Sequence, residues 1–233
     1  IKMKTLKVLF IHHSTGGLLI RFGRLRKLLK QQVPDVEFWD HGYNLYNSRI
    51  LSKILGPITF KTGLSDGQGR MTGKDFDIVI SNNSPKEYAD IFTGTKDDPT
   101  LSNILKFDVI IFKNCFPTTK IETQEKLETF KKYYSTIIQA LRKYPNKFVV
   151  FSPPPLRSET TKPEWAKRAR ELANWLSRQT AKNISIFNFF DLLSDKNGIN
   201  VNMLKREYCS PIPIDSHPNI RANKEIGKSF VDF

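Results

Sequence analysis

KVLFIHHSTGGLLIRFGRLRKLL, residues 7–29, contains the change of period on which the fold turns. After Lys7, the four residues Val8–Ile11 form a short unbroken apolar run, the pattern of a strand buried on both faces. The second half of the stretch spaces Leu18, Leu19, Phe22, Leu25, Leu28 and Leu29 by threes and fours, the pattern of an amphipathic helix. Between them stand Ser14, Gly16 and Gly17, which predict a Gly-rich turn exposing one hydroxyl at a sheet edge. Ligands of open α/β sheets bind at the carboxyl ends of the strands. A serine there becomes a nucleophile only with a base beside it and donors for an oxyanion.

The same alternation continues along the chain. Apolar runs at 6–11, 36–40, 107–112, 148–152 and 184–189 read as strands. Helical periods separate them. One covers 122–143, with Leu127, Phe130, Tyr134, Ile137, Ile138 and Leu141 on one face. Another covers 162–181, opened by Pro163 and carrying Trp165, Ala169, Leu172, Ala173 and Leu176. A last helix is expected over Ile220–Val231. Alternating strand and helix predicts an α/β fold with right-handed crossovers. The expected form is a flavodoxin-like three-layer α/β/α sandwich on a five-stranded parallel sheet of order 2-1-3-4-5, with residues 1–233 as one domain. Residues 42–106 are far longer than one crossover needs and rich in Gly, Asn and Asp. They predict a substrate-shaping insertion after strand 2, with a short extra strand at 78–80.

At 233 residues, 39% hydrophobic and 12% aromatic, the chain can bury a sizeable core without disulfides. No apolar run approaches the ~20 residues of a membrane span, so no transmembrane segment is expected. The chain opens on Ile1 with Met3 close behind, and a removed leader leaves no trace, so the compartment stays open. A formal charge of +14 favours polyanions and predicts heparin retention that falls with salt. The cations are spread as helix faces, without RNP-like or zinc-finger patterns. Cys115 and Cys209 form neither a disulfide framework nor a metal cluster. The four histidines, His12, His13, His41 and His217, lack metal-ligand spacing; a site from the first three is conceivable at the strand ends, but no metal or cofactor is expected.

His217 is the informative histidine. It precedes the last helix in the Pro-rich loop SPIPIDSHPNI, with Asp215 two residues before it to orient its ring. Ser14, from the end of strand 1, and His217 would reach the same sheet edge, as nucleophile and base do in a triad. Asn114 leaves strand 3 at that edge, where its amide can donate to an oxyanion. A capping turn around an idle histidine, and a strand-end Asn in a turn, are the purely structural alternatives.

At these residues the chain resembles the SGNH (GDSL-like) hydrolases, whose four blocks carry Ser, Gly, Asn and His on a flavodoxin-like sandwich. Ser14 in IHHSTGG matches the nucleophile block, Asn114 in FKNCFP the oxyanion block and His217 in DSHPN the base block. Gly42 in WDHGYN is the best-placed match for the Gly block, with Gly63 and Gly67 behind it. Three departures mark a divergent member. His12 and His13 stand where Gly-Asp is usual, Phe112 and Cys115 flank Asn114 in place of Gly and Asp, and Asp215 lies two rather than three residues before His217, with Ile214 in the usual place. Either Asp215 is the triad acid or a Ser–His dyad works with a backbone carbonyl.

The resemblance implies a serine esterase. Ser14 attacks an acyl carbonyl, His217 moves the proton, Asp215 orients His217, and Ser14 N–H, Gly42 N–H and Asn114 hold the oxyanion. The polar insertion and basic surface lean toward a small-molecule or glycan ester, such as an acetylated carbohydrate. A second reading keeps the fold without the catalysis, as a degenerate module in which HHSTGG binds a glycan or anionic group at a helix N-terminus.

Overall fold

The computed structural model describes residues 5–43 and 62–233. Its centre is a mixed sheet of β1 (Leu6–His12), β2 (Val36–Gly42), β3 (Gly63–Ser65), β4 (Val109–Phe112), β5 (Lys147–Phe151) and β6 (Ile184–Phe187). The order is β3-β2-β1-β4-β5-β6, parallel throughout except for the antiparallel pair β2–β3. Among the described residues the sheet thus has six strands rather than the five expected, it is not purely parallel, and its order differs by the added edge strand. The added strand is not the predicted 78–80: Ile78 and Ile80 are buried as core residues outside any ladder. Three residues, Gly-Leu-Ser, carry too few side chains to display a period of two. The remainder of the expected insertion from 44 to 61 lies outside the described residues.

Alternate residues of each strand feed opposite cores, as the pleat requires. In β1, Leu9 and Ile11 join one cluster while Val8 and Phe10 join the other. Phe148 and Val150 in β5 divide from Phe151 in the same way. The first cluster lies under α3 (Lys86–Thr93), α4 (Pro99–Ile104), α5 (Gln124–Leu141) and α6 (Pro163–Leu176). The second lies under α1 (Ser14–Phe22), α2 (Leu25–Gln32), the short α7 (Phe189–Leu193) and α8 (Ile220–Val231). The result is three layers. Phe189, read as strand, instead enters α7, because Asn188 caps that helix by accepting the Asp191 N–H at 3.3 Å.

The join between β1 and α1 differs from the predicted turn. Ser14 is itself the first residue of α1, and Gly16 and Gly17 lie inside the helix. A Cβ on Gly16 would stand 2.4 Å from His12 Cβ, so the helix can begin directly off the strand only because residue 16 has no side chain. On the far side of α1, a Cβ on Gly227 would stand 2.4 Å from the Gly23 carbonyl oxygen; α8 therefore packs backbone against backbone on the α1–α2 junction. This contact fixes the helix that follows His217 against the helix that begins at Ser14.

Candidate active site

β1 and β4 are neighbours with Ile11 opposite Phe112. Chain leaving β1 (His13, Ser14, Thr15) therefore meets chain leaving β4 (Lys113, Asn114, Cys115). The His13 carbonyl accepts the N–H groups of Gly16 and Gly17 at 3.1 and 3.0 Å. This leaves the N–H groups of Ser14 and Thr15, in the first turn of α1, without a helical acceptor.

The third segment of the site is a loop clamped by Arg157. Its guanidinium donates to the carbonyls of Ser210 (3.1 Å), Ile212 and Asp215 (3.4 Å), and to Glu159 Oε2 (2.9 Å) and Oε1 (2.8 Å). The Arg157 backbone N–H donates to Ser216 Oγ at 3.2 Å. At the loop's end Asn219 caps α8 by accepting the Ala222 N–H at 3.0 Å. The loop brings His217 Nε2 to 2.7 Å from Ser14 Oγ, across 203 positions of sequence. Asp215 Oδ1 accepts both the His217 backbone N–H (3.0 Å) and the ring Nδ1–H. The two-residue spacing is thus closed by a local turn in which one carboxylate oxygen holds the backbone and the ring. Burial would raise the Asp215 carboxyl, but the hydrogen bonds and charge of His217 outweigh it and hold it below the ordinary carboxylate value. The Phe116 ring meets the His217 ring edge-on at 5.0 Å and walls that side of the imidazole.

The two proposed oxyanion donors from other blocks are held differently. Asn114 is buried at the site, but its Nδ2 donates to the Ser84 carbonyl at 3.1 Å and its Oδ1 accepts from Tyr134 at 2.9 Å. Gly42 ends β2, opposite His12 on one side and Gly63 on the other. Tyr43 N–H turns to His12, and Leu64 exchanges its bonds with Lys74 and Thr72, so by the alternation of a ladder the Gly42 amide faces Gly63. The Gly42 amide is therefore engaged in the sheet rather than turned toward Ser14. Gly63 lies in β3, and Gly67 lies in the following turn against Glu37.

The three N-terminal histidines face different partners. His12 Nδ1 bonds the His13 carbonyl (2.9 Å) and its Nε2 meets Asp40 Oδ2 (3.0 Å), while the other oxygen of that carboxylate, Oδ1, pairs with Arg26. His41 is fully buried; its Nε2 accepts the Phe76 N–H at 3.0 Å and its ring stacks on Phe76. His13 alone reaches the serine, with Nδ1 at 3.1 Å from Ser14 Oγ. That contact, and the one from Cys115, escaped the sequence reading. Cys115 Sγ lies 3.8 Å from Ser14 Oγ and 3.2 Å from Thr15 Oγ1, which also accepts from the buried Lys113 Nζ. Burial would raise the Cys115 thiol, but the charge of Lys113, a hydrogen bond from His13 and the charge of His217 bring it well below its usual value. The only sequence signal for either was position: His13 adjoins Ser14, and Cys115 follows Asn114.

No family model matches this chain, and no curated protein matches it in sequence. Solved structures do. A protein from Streptococcus pneumoniae assigned as a platelet activating factor aligns over 100% of this chain and 85% of its own, at 15% identity and a TM-score of 0.50. A GDSL-like lipase from Bacteroides thetaiotaomicron covers 97% of this chain and 87% of its own, at 11% identity and 0.52. A lipolytic protein of the G-D-S-L family from Desulfitobacterium hafniense covers 97% and 98%, at 15% identity and 0.51. The likeness is one of fold, and it is the fold of the hydrolases whose sequence blocks this chain resembles. Among the described residues, no helix is long and apolar enough to cross a membrane.

Proposed function

We propose that this chain is a serine ester hydrolase of the SGNH kind. The observation that carries the reading is the line of Asp215, His217 and Ser14, with Nε2 2.7 Å from Oγ, within the reach a general base needs. In acylation Ser14 Oγ attacks the ester carbonyl carbon and its proton passes to His217 Nε2. The tetrahedral intermediate then expels the alcohol, which takes that proton. Water repeats the sequence on the acyl-enzyme and releases the acid, while Asp215 holds the imidazolium. The Ser14 N–H is the first oxyanion donor. Asn114 joins it if its amide exchanges the Ser84 carbonyl for the substrate oxygen, and Gly42 if its amide leaves the β3 ladder. Each such donor contributes roughly 2.7–4 kcal/mol to the transition state. A basic surface of +14 and the polar residues around 62–84 favour a short acyl ester on a polar alcohol, such as an acetylated carbohydrate.

The test is hydrolysis of p-nitrophenyl acetate. Wild type turns over, and Ser14→Ala and His217→Ala each lose that turnover; unchanged rates in both variants refute the mechanism. The engagement of Asn114 with Ser84 favours one other reading, a module of the same fold that binds a glycan or anionic group without hydrolysing it. A fluorophosphonate probe separates the two, because only an activated Ser14 is labelled.

A further inference from the structure

Ser14 Oγ stands between two imidazoles, not one: His217 Nε2 at 2.7 Å and His13 Nδ1 at 3.1 Å. A hydroxyl has one proton to give and otherwise only accepts. Asp215 Oδ1 engages His217 Nδ1, so that nitrogen carries the proton of the neutral ring and Nε2 presents a lone pair to Oγ. The Ser14 proton therefore points to His217. The remaining capacity of Oγ is acceptance, and His13 Nδ1 meets it only by bringing a hydrogen of its own. On this argument we infer that His13 is a second catalytic histidine, a fixed Nδ1–H donor to the nucleophile oxygen; the inference rests on the hydrolase reading above.

The placement of His13 supports an assignment beyond its service to the fold. It occupies the N-cap position of α1, where a side chain usually accepts an N–H of the first turn, yet it makes no such cap bond. Its carbonyl takes the Gly16 and Gly17 N–H groups instead, and the ring turns to Oγ and to the neighbouring Cys115 thiol. Tyr43 packs beside the ring at 5.6 Å between centroids. Tyr43 is in turn anchored through its hydroxyl to Asn82 Oδ1 at 2.8 Å and the Lys113 carbonyl at 3.2 Å.

A donor on Oγ acts unequally on the two halves of the reaction. In acylation Oγ loses electron density to the new C–O bond, and a hydrogen bond to it helps little. In deacylation the water-derived intermediate collapses, the C–Oγ bond breaks and its electron pair returns to Oγ. The His217 Nε2 proton then transfers to that oxygen. His13 keeps its own proton throughout and stabilises the charge building on Oγ until the transfer. Its loss therefore slows deacylation more than acylation.

Stopped-flow hydrolysis of p-nitrophenyl acetate tests this. His13→Leu is expected to acylate, giving a burst of one nitrophenolate per site, and then to turn over about 10- to 100-fold more slowly than wild type. His13→Asn, which keeps an N–H where Nδ1 stands, is expected to recover most of the steady rate. Turnover of His13→Leu equal to wild type, or no recovery in His13→Asn, overturns the inference. Nitrogen-15 NMR of the imidazoles in wild type checks it without a substitution: His13 must show a protonated Nδ1, and a bare Nδ1 overturns it. If wild type neither hydrolyses the ester nor labels with fluorophosphonate, the hydrolase reading itself has failed. An active wild type with an indifferent His13→Leu isolates the failure to His13.

Discussion

Gly16→Ala puts the connection between β1, α1 and Ser14 under direct test. The added Cβ would lie 2.4 Å from His12 Cβ, with further approaches of 3.1 Å to His12 Cγ and 3.4 Å to Phe10 Cζ. The closest atom is the root of a side chain pinned at both ring nitrogens, so it cannot swing aside. Restoring an ordinary contact of about 3.4 Å requires the first turn of α1 to move off β1 by about 1 Å, an overpacking that costs about 1–3 kcal/mol. Helix propensity alone would favour the alanine by up to about 1 kcal/mol, so the sign of the change discriminates between the two effects. Ser14 sits two residues away on the same turn. A shift of that size takes the 2.7 Å contact with His217 beyond hydrogen-bond reach, and turnover should fall on the order of 100-fold. Thermal melting with p-nitrophenyl acetate kinetics reads both effects. A variant as stable and as fast as wild type would refute the claim that Gly16 permits the helix to start at Ser14.

Asp215→Asn keeps an amide oxygen able to accept both His217 contacts but removes the charge behind the imidazolium. Turnover should fall about 10³- to 10⁴-fold with little change in Tm, and a loss below tenfold would mean that the site works as a dyad. Arg157→Ala strips donors from the carbonyls of Ser210, Ile212 and Asp215, so a loss of about 2–4 kcal/mol is expected, a Tm drop on the order of 10 °C, together with reduced turnover; retention of both would show that the loop holds itself. Burial depresses His41 from 6.5 to about 4 against the pull of Asp75, and acceptance of the Phe76 N–H by Nε2 fits the neutral ring. Between those pH values the unfolded chain holds a proton that the folded chain lacks, so this contribution is complete above about pH 6.5. It fades toward pH 4 by up to about 3 kcal/mol. Urea melts at pH 7 and 4.5 should show a smaller acid loss in His41→Gln than in wild type, and equal losses in the two would remove His41 from the account.

Local pattern was enough to identify the layers and most of the candidate site. The five long apolar runs alternate with periodic helices, and their period survives because each buries a face against the sheet. Ser14, Asn114 and His217 stand out as candidates because each ends or precedes a predicted element, and the ends of parallel strands share one edge. The β3 strand was invisible because three residues cannot show a period. The start of α1 was misplaced because glycine in a turn and glycine under a close contact look the same in a string of letters.

Side-chain partnership was decided only by folding. Sequence placed Asp215 near His217 but could not say whether a two-residue spacing would close; the Arg157 clamp and a bifurcated carboxylate oxygen close it. Nor could it say that Asn114 would turn its donor to Ser84 and Gly42 face β3, or that His13 would turn from capping a helix to touching Oγ. Periodicity records which face of an element is buried, one element at a time. A hydrogen bond across 203 positions depends on where several elements stand relative to one another, and on which of several acceptors each donor reaches first. The chain by itself therefore determined the layers and the candidate chemistry, and the tertiary packing decided which groups meet.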